Sequence, residues 1–342
     1  MKQRAIVLTI FLLATCLMLT ACSDMTMGGL LQELFSELGA NVDDIPEDVS
    51  QLLETIPEDF TIPEEVTEMI SEELTLTDTT EPDTTEPETE SVPDQVLAFE
   101  SNGDGTCKVS GIGTCTDTNI VIPSVSPDGD RVTSIRNHAF FGCSNLTSIV
   151  IPDGVTSIGD SAFYGCESLT SVAIPDGVTS IGNSAFFGCS GLTSIVIPDG
   201  VTSIGDSAFS NCSSLTSIVI PDSVTNISYT AFSDCYSLTS IVISDGVTSI
   251  GMYAFDGCSG LTSIVIPDSV ISIGYGAFYL CKSLTSVVIP DSVTSIGNQA
   301  FWNCDSLTDV YYTGTEQEWA AITIGEYNNN LTNATIHFNY VP

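Results

Sequence analysis

Cysteine stands at 143, 166, 189, 212, 235, 258, 281 and 304, eight residues in register at intervals of 23. Thiols at such a spacing raise three chemistries. A zinc site wants paired thiolates two to four residues apart, and the chain has no Cys-x-x-Cys. If the copies stack about 5 Å apart, neighbouring sulfurs come within disulfide reach. The third reading is favoured: each Cys follows an Ala-Phe pair among apolar residues, where a thiol serves as a small hydrophobe. Cys115 joins the same file with one residue fewer in its copy. Cys107 is left over, and a Cys107–Cys115 bridge stays open.

Two further files could bind something. Asp153, Asp176, Asp199, Asp222, Asp245, Asp268 and Asp291 recur at the same step. At about 5 Å in water each adjacent pair repels by just under ~1 kcal/mol. They are therefore a weak Ca²⁺ candidate, although solvated turn carboxylates with no metal are the preferred reading. The denser Gly-Gly-x-Gly-x-Asp pattern of calcium solenoids is absent. Next to the repeated Phe, the residues Phe141, Tyr164 and Phe187 line up. That file turns polar at Ser210, Ser233 and Asp256, then resumes at Tyr279 and Trp302. Exposed rings are enriched at binding hot spots, so these five are the candidate ligand-binding residues; the competing reading is that they cover neighbouring copies. Catalysis is disfavoured. The two histidines, His138 and His337, lie near opposite ends of the repeats, and no G-x-S-x-G, H-E-x-x-H or phosphate loop occurs. A repetitive wall does not gather unlike residues into one pocket. The chain reads as no enzyme, with no cofactor.

One unit that must position these residues reads L-x-x-I-x-I-P-D-G-V-x-x-I-G-x-x-A-F-x-x-C-x-x. "LTSIVI" alternates as a strand with one buried face. Pro-Asp-Gly or Pro-Asp-Ser turns the chain, with Pro expected at the turn's second position, where its φ is preset. "VTSIG" is a second short extended piece, and "AF" opens a compact turn that sends Phe inward. Outward from the main strand come Ser148 and Val150, Ser171 and Ala173, Ser194 and Val196, a flat surface suited to an extended ligand. A fixed period of 20 to 29 residues with apolar anchors marks a leucine-rich solenoid, whose single coil cannot bury both of its sides alone. The fold class is thus a β-rich solenoid of 23-residue repeats with parallel strands, an N-terminal hairpin cap and an irregular C-terminal cap.

IPDxVTSIGxxAFxxC at an invariant 23-residue step resembles the BspA-like, or treponemal-type, leucine-rich repeat family of bacterial surface proteins, over about residues 96–340. The resemblance implies an adhesin-like scaffold that attaches to host matrix proteins, polysaccharide or other cells. A self-associating surface coat or spacer, or an accessory subunit of an exported enzyme complex, are the alternatives. The first copy departs from the pattern: "IVIPSVSPDGDRVTSI" carries six extra residues between Pro123 and Ile135, which predicts a protruding loop. Ser244 replaces the turn Pro once.

The ends differ from the middle. Residues 1–21 read as a lipoprotein signal peptide: Lys2 and Arg4, an apolar run, then Leu19-Thr20-Ala21-Cys22, which resembles a bacterial lipobox with Cys22 lipidated. Residues 22–94 read as an acidic, mostly disordered tether with short helices, ending in "TDTTEPDTTEPETESVPD". Residues 95–117 form the hairpin cap around Gly103-Asp104-Gly105, 118–312 the solenoid, and 313–342 the C-terminal cap sealed by Trp319. The 342 residues carry 44 acidic against 6 basic side chains, a formal charge of -38. Between Met25 and Glu100 lie 22 of those carboxylates and no Lys or Arg. Nucleic acid is excluded as a partner on charge, and the membrane is reached through the lipid on Cys22 rather than through anionic headgroups. The expectation is a lipid-anchored, extracytoplasmic protein on the cell surface, with a protein or glycan ligand and weak self-association.

Overall fold

The computed structural model describes residues 97–113 and 116–341. The signal peptide, Cys22, the tether and Cys115 lie outside the described residues.

Each coil contributes one rung to each of two strand faces, whose parallel ladders are interrupted at a few coils. On the main face, Ser148–Val150, Ser171–Ala173 and Ser194–Val196 pair in register at a step of 23, as in Ser148↔Ser171 and Val172↔Ile195. On the second face, two-residue strands such as Ser157–Ile158 and Ser180–Ile181 pair in the same way. Alternation does the sorting: Ile149 is 3% exposed and Val150 beside it 52%. Inside, Leu, Ile, Val and Ala from every coil form one continuous core, and the Phe file from Phe140 to Phe301 is wholly buried. Consecutive Phe rings stack at 5.1–5.6 Å, tilted by 1–19°. That is the offset geometry aromatic pairs prefer.

The Pro-Asp-Gly turn differs from the expectation. Val155 N–H donates to the Pro152 carbonyl at 3.0 Å, and the same bond recurs at Val178–Pro175 and Val201–Pro198. Pro is therefore the first residue of the turn, not the second. Its contribution there is to remove an N–H and end the strand ladder. Ser244 makes the point by exception: it still accepts from Val247, and its N–H adds a rung to the Ile220 carbonyl at 3.2 Å.

Two columns of left-handed backbone bracket the compact Ala-Phe turn. One holds His138, Ser161, Ser184, Ser207, Thr230, Tyr253, Gly276 and Gln299, with φ between 48 and 61°. The other holds Gly142, Gly165, Gly188, Asn211, Asp234, Gly257, Leu280 and Asn303, with φ between 58 and 72°. Left-handed residues turn the peptide groups over. On the second face, in most coils, the residue before the short strand donates to the preceding coil, as Thr156 does to Thr133. Turn amides donate to the following one, as Phe140 does to Ala162 at 2.7 Å. A third backbone ladder results, running along the turn edge. Thr hydroxyls add a side-chain ladder, Thr170 to the Thr147 carbonyl and Thr193 to that of Thr170, both at 3.3 Å.

The caps extend the sheets. Ala98–Ser101 and Thr106–Gly111 form an antiparallel hairpin whose second strand pairs parallel with Arg131–Ile135. Asp104 at its tip accepts from the Thr106 hydroxyl and, at 3.0 Å, from its amide, which holds its carboxyl below the usual carboxylate range. The six-residue insertion folds as a small hairpin closed by Ser126 N–H to the Asp130 carbonyl at 2.8 Å, with Ser126 buried. At the far end a short helix, Glu316–Trp319, starts from a capping box between Thr315 and Glu318. The strands Thr323–Ile324 and Thr335–His337 then add a last rung to each face. Trp319 packs edge-on against the buried Tyr312 ring at 5.2 Å. No helix among the described residues is long and apolar enough to cross a membrane.

Candidate functional site

The turn edge carries the candidate aromatics, and its backbone explains their spacing. Because the Ala-Phe turn repeats in register, the residue after each Phe stands over its counterpart. Phe141 and Tyr164 stack at 4.8 Å and 11°, Tyr164 and Phe187 at 4.7 Å and 7°. Phe141 is 53% exposed, and the other two are half-buried. The three rings form one outward ladder beside the buried Phe ladder, with Gly142, Gly165 and Gly188 leaving its flank open.

Tyr279 and Trp302 do not continue that ladder. Tyr279 meets Tyr253 edge-on at 6.3 Å, and Trp302 meets Tyr327 edge-on at 5.3 Å. Between the two groups the file closes: Ser210 and Ser233 are buried, and Asp256 is half-buried. Burial, and then the Asp234 carboxylate beside it, push the Asp256 carboxyl up to about 6. The tyrosines that gather here were not singled out from the sequence. Tyr253 lies 5.1 Å from Tyr275 and 6.4 Å from Tyr229, and Tyr236 donates its hydroxyl to Asp234 at 3.0 Å. The signal was Tyr229, Tyr253 and Tyr275 in the two positions before Ala-Phe, different columns that only the stacking brings together.

The thiols from Cys166 to Cys304 lie in the core and form no disulfide. Each donates to the carbonyl of the Phe in the preceding coil, as Cys166 does to Phe140 and Cys189 to Phe163, both at 3.2 Å. That carbonyl also accepts the amide of its own coil's Cys, so the thiol fills its second acceptor site. Burial pushes the Cys189, Cys235 and Cys304 thiols up to about 12 and raises Cys166, Cys212, Cys258 and Cys281 as well. Thiols held this way are poor nucleophiles and poor ligands. Cys143, in the first coil, is half-buried. Cys107 is also a buried thiol, directed at the Asp130 carbonyl at 3.6 Å.

The Asp file from Asp153 to Asp291 is exposed along its length. No group of three or more His, Cys, Asp or Glu among the described residues could hold a metal ion. His337 shares a 2.7 Å hydrogen bond with Asp309 on the last rungs, and His138 sits far from it beside Phe141.

A model of the BspA type leucine rich repeat region, built on six copies, matches residues 114–239 and again 225–340. The chain belongs to the BspA-type leucine-rich repeat family. No curated protein matches it. Among solved structures, this BspA-type chain is similar to a leucine-rich repeat protein of T. pallidum, at 28% identity over 63% of this chain and 89% of that one, TM-score 0.47. A leucine-rich repeat protein of Bacteroides ovatus matches at 27% identity over 71% and 77%, TM-score 0.44. A leucine rich cell surface protein of Faecalibacterium prausnitzii matches at 28% over 67% and 96%, TM-score 0.34. In BspA-type terms, the invariant letters of this repeat are core, ladder and turn residues. What distinguishes one coil from the next is chiefly the residue pair before Ala-Phe, the pair after it and the pair after Cys.

Proposed function

We propose that this protein is a binding scaffold displayed on a bacterial surface, lipid-anchored through Cys22, that takes an extended host protein or polysaccharide along its turn edge. The observation that carries this reading is the Phe141–Tyr164–Phe187 ladder, three partly exposed rings 4.7–4.8 Å apart. A solvent-facing ring ladder costs exposure without deepening the core, whose own Phe file is already closed. Rings at a constant step suit a ligand that repeats, such as stacked sugar faces or alternate side chains of an extended peptide. Membership in the BspA-type family supports display at the surface, and the Leu19–Cys22 motif supports the lipid. The turn edge offers a contact surface rather than a pocket of converging unlike groups, so the reading is non-catalytic.

Arrays of glycans and matrix proteins probed with the purified protein test this. A ligand whose capture falls at least about tenfold on Tyr164→Ala or Phe187→Ala, with melting temperature kept, upholds it. Ligand capture unchanged by both variants refutes the turn edge as the site. Mass spectrometry of the N-terminal peptide tests the anchor, which requires acyl chains on Cys22.

A further inference from the structure

The main strand face has a property the turn-edge reading does not use. Its outward file is apolar and open: Val121 is 70% exposed, Val196 71%, Val219 56%, Val242 53% and Val265 54%. The sheet beneath is interrupted. Ser217–Ile220 and Ser240–Ile243 pair with each other but not with Ser194–Val196 on one side or Ser263–Val265 on the other. At the second of these seams lies a groove of about 390 Å³. Val242, Val265 and Val288 line it, together with the carboxylates Asp245 and Asp268. The groove thus joins the valine file to the aspartate file, so that a ligand lying on one meets the other.

Charge selects the occupant. There is no Lys or Arg from Asn137 to Cys281, and among the described residues no Lys or Arg pairs with Asp245 or Asp268. This chain's residues 25–100 carry 22 carboxylates and no Lys or Arg, and a second copy brings the same charge of -38; both are repelled. A neutral glycan has no charge to offer the aspartates. We infer that the seam between Ser240–Ile243 and Ser263–Val265 is a docking site for a cationic, amphipathic polypeptide segment of a partner protein. Its apolar side chains would lie on Val242 and Val265, and its Lys or Arg would reach Asp245 and Asp268. This rests on the scaffold reading but uses a different face, so the two fail separately.

Fluorescence anisotropy with the full protein and three labelled peptides tests it: Val alternating with Lys, Ser alternating with Lys, and Val alternating with Glu. Only the Val/Lys peptide should bind tightly. Val265→Ser and the pair Asp245→Asn with Asp268→Asn should each weaken it about tenfold, and Tyr164→Ala should leave it unchanged. Equal binding of the Ser/Lys peptide would reduce the effect to bulk charge and overturn the site. Equal binding of the Val/Glu peptide, or affinity unmoved by the seam variants when circular dichroism shows them folded, would overturn it too. If Tyr164→Ala weakens the peptide as much as Val265→Ser does, the segment docks on the turn edge and the seam proposal fails.

Discussion

The turn edge of the first three full coils and that of the fifth to eighth share one backbone and use it in opposite ways. From Phe140 to Gly188 the second left-handed column is glycine, the flanking position is Ser or His, and the free edge carries three parallel rings. From Tyr229 to Trp302 the same columns hold Thr230, Tyr253, Asp234 and Leu280, and the rings meet edge-on among carboxylates. A left-handed residue with a side chain costs roughly 1–2 kcal/mol, least for Asn and Asp. In the first column both regions bear that cost, at His138, Ser161 and Ser184 as at Thr230, Tyr253 and Gln299. In the second column the early glycines avoid it, whereas the later region bears it, most at Leu280, and gains a surface of mixed chemistry. The fold tolerates this because the interior files do not change: apart from the half-buried Cys143 of the first coil, Ala, Phe and Cys are buried in both regions. Edge variety is available where the core is invariant.

That contrast can be broken at its root. Phe209→Ala, inside the shared ladder, should cost about 3–5 kcal/mol by leaving a cavity between two ring neighbours; urea denaturation reads it, and a loss below about 1 kcal/mol would mean the files are not the common frame. Close approach between coils comes next. A Cβ at Gly205 would stand 2.5 Å from the Asn183 amide, so Gly205→Val should cost about 1–3 kcal/mol. Besides Arg136 in the first coil, the natural exception is Ser228, which replaces this glycine one coil later. There the second-face sheet parts between Ser203–Ile204 and Asn226–Ile227, and the Ser228 hydroxyl donates instead to the Ile204 carbonyl at 2.6 Å.

Backbone strain gives a change of opposite sign. Leu280 has φ of 60° where most coils have Gly or Asn, so Leu280→Asn should raise stability by about 1 kcal/mol in the same titration. Smaller is the effect of Asp256→Asn, which sharpens the comparison electrostatically. Its folded-state value of about 6 lies above the ordinary 3.8. The native state therefore favours the protonated acid; that stabilisation is present below about pH 4 and lost as pH rises through 6. The asparagine variant should melt higher than the natural protein at pH 7.5 and equally at pH 4, and a difference of the other sign would contradict the burial of this carboxyl. Smallest of all, Tyr164→Ala should shift stability by no more than about 1 kcal/mol, while on the proposed reading it lowers ligand capture at least about tenfold.

Much of this architecture is legible in the chain because a strict repeat makes each residue its own neighbour. Leu146, Ile149, Phe163 and Cys166 were assigned to the core from alternation and spacing, and they are there. The turn proline was misplaced by one position because Pro-Asp-Gly fits a turn beginning at either residue; the hydrogen bond from Val to the Pro carbonyl decides between them. The thiol was read as a small hydrophobe. Its role as donor was invisible because its partner carbonyl lies 26 residues back rather than 23.

The period and the alternation determined by themselves that equal residues stack, which faces are wet, and that the rod is acidic with no basic side chain along its middle. Tertiary structure alone decided what meets diagonally: the tyrosines of three different columns, the thiol beneath a neighbour's carbonyl, and the seam that joins valine to aspartate. The reason is geometric. A repeat fixes contacts between residues one period apart, whereas contacts at 22, 24 or 26 residues depend on how far each coil slides and turns over the last. Steric details such as one serine in place of glycine set that offset.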